Sequence, residues 1–176
     1  MILLICGSLR AGSVNAAVLG TAATFTTATT FAGLADLPHF NPDDDRDPLP
    51  PAVADLRARI AAADALLFST PEYAGGLPGS FKNLLDWTVG GGEIYGKPVA
   101  WINASSGAAP TGAADAHDSL RKVLTYAGAR IVAEACARIP VPRALVDGGH
   151  VTDPDLRGRI AMVVNQLREA AVPPTG

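Results

Sequence analysis

Residues 7–15, with the sequence GSLRAGSVN, concentrate groups that bind a phosphate. Ser8, Ser13 and Asn15 offer side-chain donors, and Arg10 adds a full positive charge. If a helix begins inside this segment, its first backbone N–H groups are unsatisfied and also point toward an anion. A loop that only caps a helix is the alternative, but capping needs neither the arginine nor so many donors. The segment therefore predicts a phosphate-binding loop.

The glycine pattern of this loop favours one class of phosphate ligand. The loop contains neither the GxGxxG of dinucleotide-binding folds nor the GK[ST] of nucleotide triphosphatases. Gly7 and Gly12 allow the backbone to turn tightly and to approach a ligand. We therefore expect a phosphate monoester.

A second segment, residues 70–87 (TPEYAGGLPGSFKNLLDW), follows an apolar run and leads into a run of helical period. Gly75 and Gly76 have no side chains, so a flat ring can lie against their peptide groups, and Tyr73 offers an aromatic face and a hydroxyl. This segment predicts the wall of a ring-binding pocket, and a purely structural turn is the alternative.

A third segment, residues 103–112 (NASSGAAPTG), consists largely of small residues that would keep a crevice open. Ser105, Ser106 and nearby backbone N–H groups can meet the polar edge of a flat ring. A short turn without a ligand would have the same composition, so both interpretations stay open.

Apolar runs of strand length alternate with longer runs of helical period along the chain, which is typical of a parallel sheet covered by helices on both faces. The predicted strands span residues 2–6, 26–34, 65–69, 98–103 and 130–137. The predicted helices span residues 14–23, 53–63, 80–88 and 113–127, with a last helix capped by Asp153. We expect the strand order 2-1-3-4-5, in which the ligand crevice lies beside the carboxyl ends of strands one and three.

Several polar residues outside these segments are predicted to be structural or solvated. In the helix at 53–63, Val53, Leu56 and Ile60 share one face, and Arg57 is predicted to point away from it. The aspartates of the following set lack the spacing of a calcium loop and are interpreted as a solvated acidic loop: Asp43, Asp44, Asp45 and Asp47.

The cysteines and histidines suggest neither a metal site nor a catalytic relay. Cys6 and Cys136 are predicted to be buried core thiols. His117 is the histidine predicted to come nearest the pocket, and His39 and His150 are assigned structural or surface roles. We expect no metal site and name no catalytic side chain.

The overall composition limits the partners. The chain has 176 residues and a formal net charge of -3, with a pI near 5.5. We expect one domain over residues 1–172 with a flexible tail at 173–176. The charge disfavours nucleic acid and anionic membranes. The first residues, MILLICGS, show no basic leader before a short apolar run, so we expect a cytoplasmic protein.

Taken together, these segments resemble the NAD(P)H-dependent FMN reductase family of the flavodoxin-like superfamily, which includes quinone, chromate and azo-compound reductases. The resemblance covers nearly the whole chain. It rests on GSLRAGSVN, LPHFNPD, ADALLFSTPEY, FKNLLDW and GKPVAWINASSG, in the order and spacing of the family. It implies a flavodoxin-like three-layer α/β sandwich.

The resemblance also implies FMN as cofactor and a set of residues that hold it. The phosphate would be held by Ser8, Arg10, Ser13, Val14 and Asn15. The isoalloxazine would be bordered by Pro71, Glu72, Tyr73, Ala74 and Gly75, and the pocket completed by Ser105 and Gly107. The family usually has Asn after Pro-Glu-Tyr, whereas this chain has Ala74, so one polar contact is missing.

The activity implied by the resemblance is electron transfer from NADPH or NADH through FMN to a small acceptor, such as a quinone, free flavin, azo compound or metal oxyanion. It also implies a homodimer or homotetramer, with Phe81, Leu84 and Trp87 as candidates for the interface or for the core of one subunit. A flavodoxin-like electron carrier and a relative that has lost flavin and has a structural role are the alternatives. The arginine in the phosphate loop and the lack of a strongly acidic docking surface argue against the carrier.

Overall fold

The computed structural model describes residues 1–107 and 111–172, and the predicted tail at 173–176 lies outside them. One parallel sheet contains β1 (Ile2–Cys6), β2 (Ala28–Phe31), β3 (Ala65–Ser69), β4 (Pro98–Asn103) and β5 (Arg130–Ile131). These strands lie in the order β2-β1-β3-β4-β5. The predicted strand order is confirmed.

Helices cover both faces of this sheet: α1 (Val14–Ala23), α2 (Pro51–Ala62), α3 (Gly79–Asp86), α4 (Ala114–Tyr126) and α5 (Pro154–Ala171). Because side chains alternate along a strand, β1 supplies Leu3 and Ile5 to the core under α2, α3 and α4, and Ile2 and Leu4 to the core under α1 and α5. The result is the expected three-layer α/β sandwich.

The register of the central strands sets the position of the loops that follow them. β1 pairs with β3 from Ile2 opposite Ala65 to Cys6 opposite Ser69, so both strands end at the same level. The Gly7 N–H then donates to the Ser69 carbonyl at 2.9 Å. A side chain at Gly7 would collide with Thr70 and Phe81, so only glycine allows the two loops to approach this closely.

The fifth predicted strand, at 130–137, is divided in the structure. β5 ends at Ile131, a 3-10 turn follows at Ala133–Ala135, and β6 (Ala137–Arg138) pairs again with β4. The turn buries Ala135 beside α5, whereas a continuous strand would not bring it there. An apolar run by itself does not distinguish these two ways of burying the same residues.

Other boundaries also differ from those predicted. β2 is shorter than residues 26–34 because a 3-10 turn begins at Gly33. A hairpin formed by β7 (Val146–Asp147) and β8 (His150–Val151) precedes α5 and was not predicted. The last helix begins as expected, since Asp153 accepts a hydrogen bond from the Leu156 N–H at 2.9 Å.

The predictions for Arg57 and Asp45 were wrong. Arg57 is buried and donates from Nε and Nη2 to the Trp87 carbonyl at 3.0 and 2.8 Å. Its Nη2 also lies 2.7 Å from Asp45 Oδ1. The long arginine side chain reaches the end of α3 and satisfies a carbonyl that the helix leaves unpaired. Asp43 and Asp44 are exposed, as predicted.

Two alternatives were left open for the apolar residues on and after α3, a subunit interface or the core of one subunit, and the structure supports the core. Phe81, Leu84 and Trp87 are each 0% exposed, so they belong to the core and present no surface to another subunit. Trp87 Nε1 donates to the Pro38 carbonyl at 2.9 Å, and its ring meets the edge of Phe40. This polar contact inside the subunit accounts for a tryptophan at a buried position.

Candidate cofactor-binding site

A cleft of about 400 Å³ opens beyond the carboxyl ends of β1, β3 and β4. It lies where the strand order reverses between β1 and β3, the usual ligand position of open α/β sheets. Six of the predicted site residues line it: Arg10, Val14, Asn15, Pro71, Glu72 and Ser105. Ser106, named with Ser105 as a candidate for the edge of the ring, also lines it, whereas the remaining lining residues were not singled out from the sequence: Thr70, Ala104, Ala113 and Val141.

The predicted phosphate loop lies directly before α1 and is closed by short-range hydrogen bonds. Ser13 caps α1 by accepting from the Ala16 N–H at 3.3 Å, and its own N–H donates to the Arg10 carbonyl at 3.1 Å. Ser8 Oγ accepts from the Arg10 N–H at 3.3 Å. Ser8 and Ser13 therefore shape the loop, and neither lines the cleft.

Arg10 is the cation of this cleft. Its side chain is exposed, and within residues 1–107 and 111–172 its guanidinium forms no ion pair. Val14 and Asn15, in the first turn of α1, line the same cleft as Arg10, and the helix dipole favours an anion there. The guanidinium is thus available to an external anion.

Asn15 is oriented by a buried residue that the sequence-based reasoning missed. Ser69, at the end of β3, places Oγ 2.8 Å from Asn15 Oδ1 and 2.9 Å from the Ile102 carbonyl. When the single hydroxyl proton is donated to Asn15, the amide N–H groups of Asn15 are left for a ligand. The available signal was a polar residue closing an otherwise apolar strand.

Glu72 connects the loop after β3 to α4. Its carboxylate accepts from Thr111 Oγ1 at 2.9 Å and from the Ala116 N–H at 3.0 Å. Ala113, the residue at the N-cap of α4, has a φ of 64° and no side chain that could cap the helix. Glu72 supplies that cap from a distant loop, which fixes one wall of the cleft.

Residues 73–76 form a tight turn at the edge of the cleft. Tyr73 and Gly76 exchange backbone hydrogen bonds at 3.0 and 3.1 Å, and Ala74 and Gly75 have φ values of 51° and 70°. Two consecutive positive φ values define a type I′ turn, in which Asn and Gly are favoured at the first central position. Tyr73, Ala74, Gly75 and also Gly107 do not line the cleft. The turn gives a conformational reason for asparagine where this chain has Ala74.

His117 lies behind the cleft wall, as a neighbour of Ala113, and does not line the cleft itself. Its Nδ1 is 2.6 Å from the Ala113 carbonyl, while Nε2 is buried without a partner among the described residues. Burial lowers the pKa of His117, opposed by the Ala113 carbonyl and by the charges of Glu72 and Asp118. The ring is therefore neutral at neutral pH.

The two thiols are partly buried, whereas full burial was expected. Burial raises the pKa of Cys6, and burial raises the pKa of Cys136 to about 11. Because the thiolate is the reactive form, both cysteines are poor nucleophiles at neutral pH.

The donor set of the cleft fits a phosphate monoester carrying a flat ring. A guanidinium and an amide lie at the N-terminus of α1, and the far wall is built from the small residues Ala104, Ser105 and Ser106. Together with the strand order, this defines a flavodoxin-like α/β protein with a cleft at the switch point that is lined by a guanidinium and an amide.

The sequence profile of the NADPH-dependent FMN reductase family matches residues 1–140, and the chain belongs to this family. An NAD(P)H-dependent FMN reductase of Pseudomonas aeruginosa is 42% identical over 127 residues, covering 69% of this chain and 68% of the relative. A 2-hydroxy-1,4-benzoquinone reductase of Burkholderia sp is 38% identical over 131 residues, covering 71% of this chain and 70% of that relative. The family resemblance inferred from the sequence is confirmed.

A solved structure agrees with this assignment. FerB, a flavoenzyme NAD(P)H:(acceptor) oxidoreductase from Paracoccus denitrificans, superimposes with a TM-score of 0.80 at 31% identity, covering 96% of this chain and 97% of FerB.

Among the described residues, no helix is both long and apolar enough to span a membrane.

Proposed function

We propose that this chain is an FMN-dependent oxidoreductase that passes electrons from NADPH or NADH to a small acceptor. The observation that carries the proposal is the exposed Arg10 guanidinium beside the N-terminus of α1, at the mouth of an open cleft, in a member of the FMN reductase family. When bound, FMN would supply the redox chemistry, namely hydride acceptance from the nicotinamide and electron transfer to the acceptor, and the residues of the cleft would hold it in place.

The protein residues position the cofactor. Arg10, Asn15 and the first N–H groups of α1, at Val14 and Asn15, hold the phosphate. Ser8 and Ser13 accept hydrogen bonds within the loop through Oγ, so each hydroxyl keeps its own proton to donate to a phosphate oxygen.

The ring lies against the segment that follows β3 and the small residues that follow β4. The first wall consists of Pro71, Glu72, Tyr73, Ala74 and Gly75, and the second includes Ser105 and Gly107. Glu72 serves this wall indirectly, since its carboxylate is engaged with Thr111 and Ala116. No side chain of the cleft is assigned a proton transfer.

The acceptor is a small molecule, and a quinone or a flavin is the class favoured by the names of the relatives. Azo compounds and metal oxyanions are further candidates. The proposal also covers the assembly and the setting: one domain over residues 1–172, working as a homodimer or homotetramer in the cytoplasm without nucleic acid. The interface must involve residues other than Phe81, Leu84 and Trp87, since these are buried.

Flavin spectroscopy tests the proposal. Purified protein is titrated with FMN, and NADPH or NADH is then added without oxygen. Rapid loss of the oxidised flavin absorption, followed by its recovery when a quinone is added, is expected. Bound flavin that neither nucleotide bleaches would indicate an electron carrier. Failure to bind FMN would indicate a relative with a structural role.

A further inference from the structure

Arg143 contacts the phosphate loop from outside the cleft. Its Nη1 donates a hydrogen bond to the Gly12 carbonyl, across 131 positions of sequence. A Cβ atom built on Gly12 would lie 2.5 Å from Arg143 Nη2, so the guanidinium lies directly against this glycine. Arg143 does not line the cleft, so it acts on a ligand there through the loop or through its charge.

The segment that carries Arg143 is anchored on both sides of it. Before it, the Val141 N–H donates to the Ala104 carbonyl at 3.1 Å, in the loop that follows β4. After it, the Val151 N–H donates to Oγ1 of the buried Thr21 in α1 at 2.8 Å. Because α1 also carries the phosphate loop, these contacts fix the base of the arginine relative to its target.

The peptide group between Gly12 and Ser13 forms hydrogen bonds with both Arg143 and Arg10. The carbonyl of Gly12 accepts from Arg143, and the N–H of the same peptide group, which belongs to Ser13, donates to the Arg10 carbonyl at 3.1 Å. Hydrogen bonds connected through one peptide group strengthen each other. The orientation of the turn at residues 10–13 is therefore set from both ends of this peptide.

Arg143 also contributes positive charge. Over the part of the chain that the structure describes, its guanidinium forms no ion pair with a carboxylate. An unneutralised cation beside Gly12 makes the potential around the loop more favourable for an anion.

We infer that Arg143 is a positioning residue for the phosphate of the bound flavin. By holding the Gly12 peptide group, it keeps the turn at residues 10–13 closed and the Arg10 side chain at the mouth of the cleft. The inference rests on the proposed function, because it requires that the cleft bind FMN. It assigns a role in cofactor retention to a residue that is remote in sequence from the phosphate loop.

The test compares two flavins that differ only in the phosphate. Dissociation constants of FMN and riboflavin are measured by flavin fluorescence for the wild type and for Arg143→Gln, with Arg46→Gln as control because Arg46 is an exposed arginine elsewhere. For Arg143→Gln, the FMN dissociation constant is expected to rise about three- to tenfold, the size of one hydrogen bond. The riboflavin constant is expected to change by less than about twofold, as are both constants of Arg46→Gln.

A second comparison separates positioning through Arg10 from direct contact with the phosphate. In an Arg10→Ala background, Arg143→Gln is expected to weaken FMN binding less than it does in the wild type, because the residue that it positions is absent and only its charge is lost. If the loss of FMN binding free energy in the double variant equals the sum of the losses in Arg10→Ala and Arg143→Gln, the positioning role is overturned. Thermal unfolding of each variant identifies those that fail to fold, and Arg143→Lys, which keeps the charge, then replaces Arg143→Gln with the same expected pattern.

The possible failures are distinguishable. If the wild type binds FMN and Arg143→Gln binds both flavins as the wild type does, this inference alone is overturned. Equal weakening of FMN and riboflavin would make Arg143 a general structural residue and would also overturn it. If the wild type does not bind FMN, both the proposed function and the role of Arg143 are contradicted.

Discussion

The carboxylate of Glu72 accepts a hydrogen bond from the backbone N–H of Ala116 at 3.0 Å, and this contact joins the loop after β3 to the first turn of α4. α4 has no N-cap side chain of its own, since Ala113 occupies that position. A carboxylate near a helix N-terminus is stabilising because it satisfies a free N–H and opposes the helix dipole. The wall of the cleft at the start of α4 is therefore stabilised by Glu72, which lies in the loop after β3.

Replacing Glu72 should destabilise the protein in a graded way. Glu72→Ala is expected to lower the free energy of unfolding by about 1 to 2 kcal/mol, because the cap is lost. Glu72→Gln is expected to lose less, since an amide oxygen still accepts the hydrogen bonds. Urea denaturation measures both variants. Glu134→Ala removes an exposed glutamate and serves as control; equal stability of Glu72→Ala and Glu134→Ala would refute the capping role.

Ala74 is strained by the turn that it occupies. Its φ of 51° is unfavourable for alanine, whereas asparagine and glycine adopt it readily. Ala74→Asn is expected to raise the free energy of unfolding by about 0.5 to 1 kcal/mol. Gly75→Ala, at a φ of 70°, is expected to lower the free energy of unfolding by about 1 kcal/mol. An Ala74→Asn variant no more stable than the wild type in urea would mean that the turn is not limited by this residue.

Arg10 is expected to contribute to FMN binding only through the phosphate. A charge-assisted hydrogen bond contributes about 1.5 to 3 kcal/mol, so Arg10→Ala should raise the FMN dissociation constant roughly tenfold to a hundredfold. Riboflavin binding should be nearly unchanged. Fluorescence titration of both flavins provides the measurement, with Arg46→Ala as the control for loss of one positive charge. Retention of FMN at wild-type affinity would remove the phosphate assignment.

Asp45 compensates the buried charge of Arg57. The two side chains are only 12% and 9% exposed, so removing the carboxylate leaves a guanidinium with little access to water. Asp45→Ala is expected to cost about 2 to 4 kcal/mol in the free energy of unfolding. Asp43→Ala, in the same loop but exposed, should cost less than about 0.5 kcal/mol. Similar unfolding midpoints for Asp45→Ala and Asp43→Ala would show that the ion pair between Asp45 and Arg57 does not stabilise the fold.

The parts of the fold predicted from the sequence are those fixed by local pattern. The bounds of β1, α1, β3 and β4 agree with the predicted ones, because each strand is a continuous apolar run that ends in or next to a small or polar residue, and Ser13 provides a recognisable cap. The division of the strand predicted at 130–137 was missed because two modes of burial share one apolar pattern.

The parts that were missed depend on contacts between residues distant in sequence. Arg57 reaches Trp87 across 30 positions, and Glu72 reaches Ala116 across 44. Neither partner carries a local signal, because each acceptor or donor is a backbone group at a helix end. Six of the residues predicted to bind the cofactor line the cleft, whereas Ser69 was not predicted, because its contact with Asn15 follows from the register of β1 against β3.

His117 should make the stability of the protein sensitive to pH. Burial lowers the pKa of His117 in the folded state below the ordinary histidine value of about 6.5, so the unfolded chain takes up a proton that the folded chain does not. The free energy of unfolding is therefore expected to fall as the pH falls below about 6.5, with a slope of at most about 1.4 kcal/mol per pH unit. In His117→Asn, whose amide can still donate to the Ala113 carbonyl, this part of the slope should disappear. Urea denaturation between about pH 7.5 and pH 5 measures this slope, and His39→Asn, which replaces an exposed histidine, is the control. If His117→Asn retains that slope, other groups cause the acid sensitivity.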